Sequence, residues 1–292
     1  MSLIYNATFD KNTRKLSFED RAGNEIYSFT VPERGPVDDL TKPLTFKATQ
    51  NGSTVSLTKN GSPSGAFQTS RDGGNTWTNY SINTAIALNT GDEVSFRAKT
   101  DRTKDQTQTD YFYFMMEGRI EAWHNVMSML RTNDFATYNT VLGYSFYRLF
   151  KGCTSLTKAP ALPATTLASD CYSGMFNGCT SLAEAPALTA TTLATECYSN
   201  MFGGCTSLTE APALSATTLA IGCYSIMFRG CSSLNKVRCK MPSTISEGDI
   251  SSYTYQWFDG VAQTGTFYTN ADANWPSGSI SGIPQNWNRV NT

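Results

Sequence analysis

Histidine and cysteine are the residue types in this chain most readily put to catalytic or metal-binding use, and the 292 residues contain one and eight of them. His124 closes the segment Glu121-Ala-Trp-His124, and Glu-x-x-His is a spacing used by carboxylate-bridged metal sites. Such a site needs a second pair of the same kind and two more carboxylates, and no second histidine exists. A lone imidazole is therefore expected to be a satisfied, non-catalytic side chain. No G-x-S-x-G elbow and no phosphate-cradling G-x-x-x-x-G-K-[ST] loop occurs. A glycosidase needs only two carboxylates, which Glu117 and Glu121 could formally supply, but the repeats themselves offer no paired acids facing each other. The expectation is a protein with no catalytic residues, no cofactor and no metal: not an enzyme.

The cysteines point to architecture. Seven fall in two series, Cys153, Cys179, Cys205, Cys231 and Cys171, Cys197, Cys223, with a constant interval of 26 residues, while Cys239 belongs to neither. The paired C-x₂-C clusters of zinc sites are missing. Stacked rungs about 4.8 Å apart would bring such cysteines within disulfide distance, but their parallel Cβ vectors fit the disulfide dihedral poorly. Buried free thiols, acting as small hydrophobes, are the expectation.

The same interval runs through everything around them. The segment Cys153-Thr-Ser-Leu-Thr-Lys-Ala-Pro-Ala-Leu-Pro-Ala-Thr-Thr-Leu-Ala-Ser-Asp-Cys-Tyr-Ser-Gly-Met-Phe-Asn-Gly178 recurs from Cys179 and from Cys205, preceded by a half-copy from Ser145 and followed by a fragment from Cys231. A unit this short cannot bury its own apolar side, but stacked copies can, because equal positions line up on successive rungs. The expected core columns are Leu156/Leu182/Leu208/Leu234, Leu162/Leu188/Leu214, Leu167/Leu193/Leu219 and the Met-Phe pairs beginning at Met175, Met201 and Met227. Positions that vary, such as Lys158/Glu184/Glu210/Lys236 and Asn177/Gly203/Arg229, are expected to face water.

The pattern Cys-Thr-Ser-Leu…Ala-Pro-Ala-Leu-x-Ala-Thr-Thr-Leu…Cys-Tyr-Ser-x-Met-Phe-x-Gly over about 145–241 resembles the BspA-type leucine-rich repeats of anaerobic gut bacteria. The stretch Gly265-Thr-Phe-Tyr268…Trp275…Gly282-Ile-Pro284…Trp287 resembles the closing segment of such proteins. The resemblance implies a surface-exposed adhesion or recognition protein; similar repeat proteins also occur in bacteriophage of the same hosts. The departure is at the start, where Met1-Ser-Leu-Ile-Tyr-Asn6 has neither the basic region nor the apolar core of a signal peptide. Two routes are open: an export signal has been removed, or the protein leaves its cell by another path, for instance on a virus particle.

Ahead of the repeats, residues 3–9, 15–19 and 25–31 carry strand composition, with Ala22-Gly23-Asn24 as a turn, and Pro32 to Pro43 bound a linker. Residues 44–118 place turn signals such as Asn51-Gly52, Asn60-Gly61 and Gly91-Asp92 every 8–12 residues, the rhythm of a small β-sandwich. Ser70-Arg-Asp72-Gly-Gly74-Asn-Thr-Trp77 matches the S-x-D-x-G-x-x-W box of sialidases, a hairpin turn away from their catalytic pocket, and a structural turn is expected here. The expected fold is mainly β with short helical segments: a β-sandwich-like domain followed by a short leucine-rich-repeat solenoid of 26-residue repeats. The expected divisions are a meander over 1–36, the sandwich-like domain over 37–118, an N-terminal cap over 119–144 with Trp123 and Met127-Ser-Met-Leu130, repeats over 145–241, and a C-terminal cap over 242–292 anchored by Trp257, Trp275 and Trp287.

Charged residues make up 16% of the chain, against about 25% in a typical domain, with Lys+Arg 23 balancing Asp+Glu 24. No basic surplus is available to neutralise phosphates, so nucleic acid is not the expected partner. No apolar run approaches the roughly 18 residues of a membrane span. The expected partner is a host protein or a cell-surface glycan, met at a bacterial cell surface or on a virion; a virion component would add self-association into an oligomer. Candidate binding residues are Lys158, Glu184 and Glu210, with the tyrosine column Tyr172, Tyr198, Tyr224. Facing outward, the tyrosines would stack sugar rings or anchor a protein; facing inward, they would pack over the coil edge beside Met175, Met201 and Met227.

Overall fold

A computed structural model of the chain describes residues 6–10, 15–19, 22, 25–30, 38–240, 247–270, 275–278 and 280–291. The protein is mainly β, with few helical residues. Among the described residues no helix is long and apolar enough to cross a membrane. The chain divides into two compact units, Met1–Val37 and Asp38–Thr292.

The first unit is one antiparallel sheet of β1 (Asn6–Asp10), β2 (Lys15–Glu19) and β3 (Glu25–Thr30), in the order β1-β2-β3. Connections this short join only antiparallel neighbours, since a parallel crossover needs a dozen or more residues. Residues 3–5, the Gly23-Asn24 turn and Pro32 to Val37 of the linker lie outside the described residues.

The second unit begins with β4 (Leu44–Ala48), β5 (Ser53–Asn60), β6 (Phe67–Ser70), β7 (Thr78–Tyr80), β8 (Ile86–Leu88), β9 (Glu93–Ala98), β10 (Tyr111–Glu117) and β11 (Ile120–Trp123). Period-two alternation sets which side chains turn inward: Phe112 and Phe114 of β10 are buried, while Tyr111, Tyr113 and Met115 between them keep some or much exposure. Strands β10, β5 and β8 make one open sheet, and a second runs β12-β11-β4-β9-β6-β7, where β12 is Leu156–Lys158 of the first repeat copy. Phenylalanines of the two sheets meet edge to face, Phe46 with Phe114 at 4.6 Å and Phe67 with Phe112 at 4.8 Å between ring centroids. The Ser70–Trp77 segment is the β6–β7 hairpin turn: Asp72 accepts from the Ser70 hydroxyl at 2.6 Å and the Thr76 amide at 2.9 Å, and Gly73 and Gly74 take φ of 71° and 98°. Those bonds, the Ser70 hydroxyl foremost, hold the Asp72 carboxyl well below the usual carboxylate range.

Residues 119–144 begin with β11 (Ile120–Trp123), which pairs on both sides. β11 lies between β4 and β12, antiparallel to the one and parallel to the other, so the sheet passes through the expected boundary into the first repeat copy. The 3₁₀ turn Val126–Met129 that follows is buried and capped by the Asn125 side chain, which accepts from the Met127 amide at 2.9 Å.

From Tyr144 onward, equal positions of successive copies lie against one another. Phe146, Arg148, Phe150 and Gly152 donate backbone N–H bonds to Cys171, Ser173, Met175 and Asn177 of the next copy, and the intervening amides close turns within their own copy. Each main-chain donor in this stretch is thus used, which a buried segment requires. The pattern repeats from Tyr172 to Cys197 and from Tyr198 to Cys223. Beneath it run two files of stacked rings, Phe114-Phe150-Phe176-Phe202-Phe228-Phe258 at 5.4–5.8 Å and Phe146-Tyr172-Tyr198-Tyr224 at 5.4–6.3 Å. Leu156, Leu182, Leu208 and Leu234 are fully buried, whereas in the third leucine column Leu193 is buried and Leu167 and Leu219 are only partly covered. Gly203, expected at the surface, is buried; a Cβ there would meet Asn200 and Asn177 side-chain atoms at 2.0 and 2.8 Å.

All eight cysteines are free and buried. The thiols of Cys153, Cys179, Cys205 and Cys231 each donate to a phenylalanine carbonyl, those of Phe114, Phe150, Phe176 and Phe202, at 2.9–3.2 Å. Cys239 pairs with Leu214 in a parallel bridge and so takes the place of the next leucine in the Leu162/Leu188/Leu214 column. Beyond the copies come β13 (Lys236–Arg238), α1 (Glu247–Thr254), β14 (Gly265–Thr269) and β15 (Trp287–Asn291), with β13, β14 and β15 parallel. Trp257 stacks on Trp275 at 5.2 Å and Trp287 on Phe258 at 5.6 Å, closing this end with rings whose N–H groups all reach oxygen acceptors.

Candidate functional site

The residues that differ in charge from copy to copy share one strip. Glu184 bridges to Glu210 and Glu210 to Lys236 in parallel register, and Lys236 continues to Thr266 of β14. At the other end Lys158 pairs with Glu121 in the β11–β12 register. A three-residue strand at Leu156–Lys158 and single bridges at Glu184 and Glu210 hold this line, and beyond Pro160 and Pro212 the pairing resumes at Ala161 with Asn125 and at Leu214 with Cys239.

Each end of the strip is a small cation–aromatic cluster. The Lys158 ammonium lies 3.7 Å from the centre of the Trp123 ring and 2.9 Å from Asp38 Oδ2, and the Trp123 indole N–H donates to Glu121 Oε2 at 2.9 Å. At the far end Glu210 receives Lys236 at 2.8 Å and Arg238 at 3.5 Å, and the Arg238 guanidinium lies 4.2 Å over Tyr268. These groups keep 23–47% of their side-chain exposure, so each ion pair contributes only about 0–1 kcal/mol to stability. Between the clusters Glu184 is exposed, with no ion pair to another described residue.

Lys158, Glu184 and Glu210 therefore share one exposed line. The tyrosines do not join it. Tyr172, Tyr198 and Tyr224 are 1–2% exposed, and an outward aromatic strip is ruled out: their rings are the middle of a stacked file, covered on both faces by neighbouring copies. Asp38 and Arg238 carry no signal in the sequence, and Trp123 and Tyr268 enter it only as a cap residue and as part of the closing segment; a cation and an aromatic on paired strands are joined by register alone.

His124 stands beside the strip. Its Nδ1 accepts the Asp39 amide at 3.2 Å and its own amide donates to Asp38 at 2.7 Å, while burial, the largest influence, lowers its pKa. Glu121 bonds Trp123 instead, so the Glu-x-x-His spacing brings no acid onto the imidazole. Among the described residues no group of three or more His, Cys, Asp or Glu is placed to hold a metal ion. What the strip can do is hydrogen-bond a polar partner with fixed charges of both signs.

No protein-family model matches the chain, and neither the curated proteins nor the solved structures contain a match to it.

Proposed function

We propose that the protein is a non-catalytic recognition protein whose residues 145–241 form a short leucine-rich-repeat solenoid of the BspA type behind a β-sandwich-like domain, and that it binds a host protein or glycan at a bacterial cell or virion surface. The observation that carries this is the division of labour among repeat columns. The leucine, cysteine, methionine and phenylalanine columns are invariant and mostly buried, while the Lys158/Glu184/Glu210/Lys236 column changes charge and keeps its exposure. A constant scaffold under a changing polar line is what a recognition surface needs, because specificity can be rewritten without disturbing the core. The hydrogen bonds running from copy to copy support the solenoid part of the proposal.

The test is charge reversal. The variant K158E/E184K/E210K is compared with the unaltered protein for retention of partners from host-cell extracts and for binding to immobilised glycans. Partners lost in the variant support the proposal; equal retention, or no partner for either protein, overturns it. A second reading, a virion component docked through its N-terminus, draws on Met1–Val37 forming a compact unit of its own. Fractionating the producer into cytosol, membrane and particles tests it, and absence from particles refutes it.

A further inference from the structure

Seven of the 26 repeat positions differ among the three full copies, and four of the seven lie in the closing turns, in the columns headed by Ser169, Asp170, Gly174 and Asn177. Two of those columns have left-handed backbone: φ is 54° at Asp170, 51° at Glu196, 53° at Asn200 and 48° at Ile226. Glycine, as at Gly174 and Gly222, would sit there without strain, yet the chain places polar and bulky side chains at most of these positions. Strain of this kind persists where side chains have a use.

The first of these turns adjoins a cluster of tyrosines. Tyr144, Tyr147 and Arg148 stand where the next copy has Asp170, Ser173 and Gly174, and β10 turns Tyr111 and Tyr113 to the same side. The rings form a continuous chain: Tyr113 to Tyr111 at 5.8 Å, Tyr111 to Tyr147 at 5.1 Å, Tyr147 to Tyr144 at 5.5 Å. Tyr111, Tyr113 and Tyr144 are half-buried, and Tyr147, more deeply covered, supports them. Polar groups edge the chain. The Arg148 guanidinium lies 4.8 Å over Tyr147, Asp170 neighbours Tyr144, and Glu196 follows, exposed, one copy further on. Burial, the largest influence, holds the Asp170 carboxyl above the usual carboxylate range.

We infer that this face, separate from the Lys158–Lys236 strip, is a binding platform for a neutral oligosaccharide, with Tyr111, Tyr113 and Tyr144 stacking on sugar C–H faces and Arg148, Asp170 and Glu196 bonding hydroxyls. It rests on the recognition reading above and specifies the ligand class at a different place. Half-buried tyrosine rings, set edge-on or tilted to one another at 47–87°, combine apolar surface with hydroxyls and suit a ligand with alternating apolar and polar surface, as a pyranose has. Two carboxylates against one guanidinium disfavour anionic sugars and offer charge-assisted bonds to neutral ones.

Titration calorimetry of the full chain with cellohexaose, laminarihexaose, mannohexaose, chitohexaose and 3′-sialyllactose tests it. At least one neutral hexaose should bind saturably. Binding should weaken tenfold or more, about 1.4 kcal/mol, in Tyr111→Ala and in Tyr144→Ala, and measurably in the exposed-site variant Glu196→Ala. The double variant K158A/E184A should bind the sugar unchanged. The inference is overturned if no neutral hexaose binds, if only sialyllactose binds, or if binding survives both tyrosine variants with circular dichroism unchanged. Loss in K158A/E184A alone would also overturn it, while leaving the recognition strip intact.

Discussion

Tyr172 buries its hydroxyl without a hydrogen-bond partner, in a column whose first member is Phe146. An unmade bond in a dry site costs about 1–3 kcal/mol, and phenylalanine fills the same ring volume. Tyr172→Phe should therefore stabilise the protein by about 1 kcal/mol in urea denaturation; a loss of stability would mean that the hydroxyl has a partner. The backbone makes a matching statement. Gly204 sits at φ 73° in a file with Gly152, Gly178 and Gly230, whereas Ile226, β-branched, is held at φ 48°. A left-handed backbone costs an L-residue about 1–2 kcal/mol, so Gly204→Ala should lose about that much and Ile226→Asn, which copies Asn200, should raise stability. Both signs are measurable from the same denaturation curves.

At the scale of the element, columns that look alike in the sequence differ in what they bury. Leu208 is fully covered, while Leu219 lies at the margin. Leu208→Ala should cost about 2–5 kcal/mol, because neighbouring copies hold the cavity open. Leu219→Ala should cost distinctly less, on the order of 1 kcal/mol, having less apolar surface to return to water. Equal losses would contradict the packing described for the turn side. The strip behaves differently again: its charges sit on single bridges in water, so their removal should alter partner binding far more than stability.

For the whole molecule, the eight buried thiols tie stability to pH. Burial pushes Cys153, Cys171 and Cys231 up to about 12, against about 8.5 for an exposed thiol. A folded pKa above the unfolded one gives stability that is complete below about pH 8.5 and is lost as pH climbs from there toward about 12, because the unfolded chain releases protons the folded one retains. The urea midpoint should accordingly fall steadily above about pH 9. In the folded protein at pH 8, a thiol-specific colorimetric reagent should label none of the eight cysteines, and in urea all of them. Labelling should rise together with the loss of circular dichroism, since one core extends from Leu44 to Trp287. Rapid native labelling would contradict that core.

Composition and spacing determined the 26-residue period, its leucine and cysteine columns and the mainly β character, because stacking places equal positions at equal depth. The alternation of Phe112 and Phe114 with Tyr111 and Tyr113 was likewise open to reading as a strand with one buried face. Three things were decided only by tertiary structure. The tyrosine column went inward because stacked rings bury more apolar area than a rim of exposed ones, a choice that invariance across copies cannot make. Strand β11 pairs with β4 on one side and with the first copy on the other, a partnership that no interval in the sequence marks. The clusters at Lys158 and Arg238, and the ring chain from Tyr113 to Tyr144, bring together residues that share no interval in sequence, so their adjacency is a product of register and of which copy meets which strand.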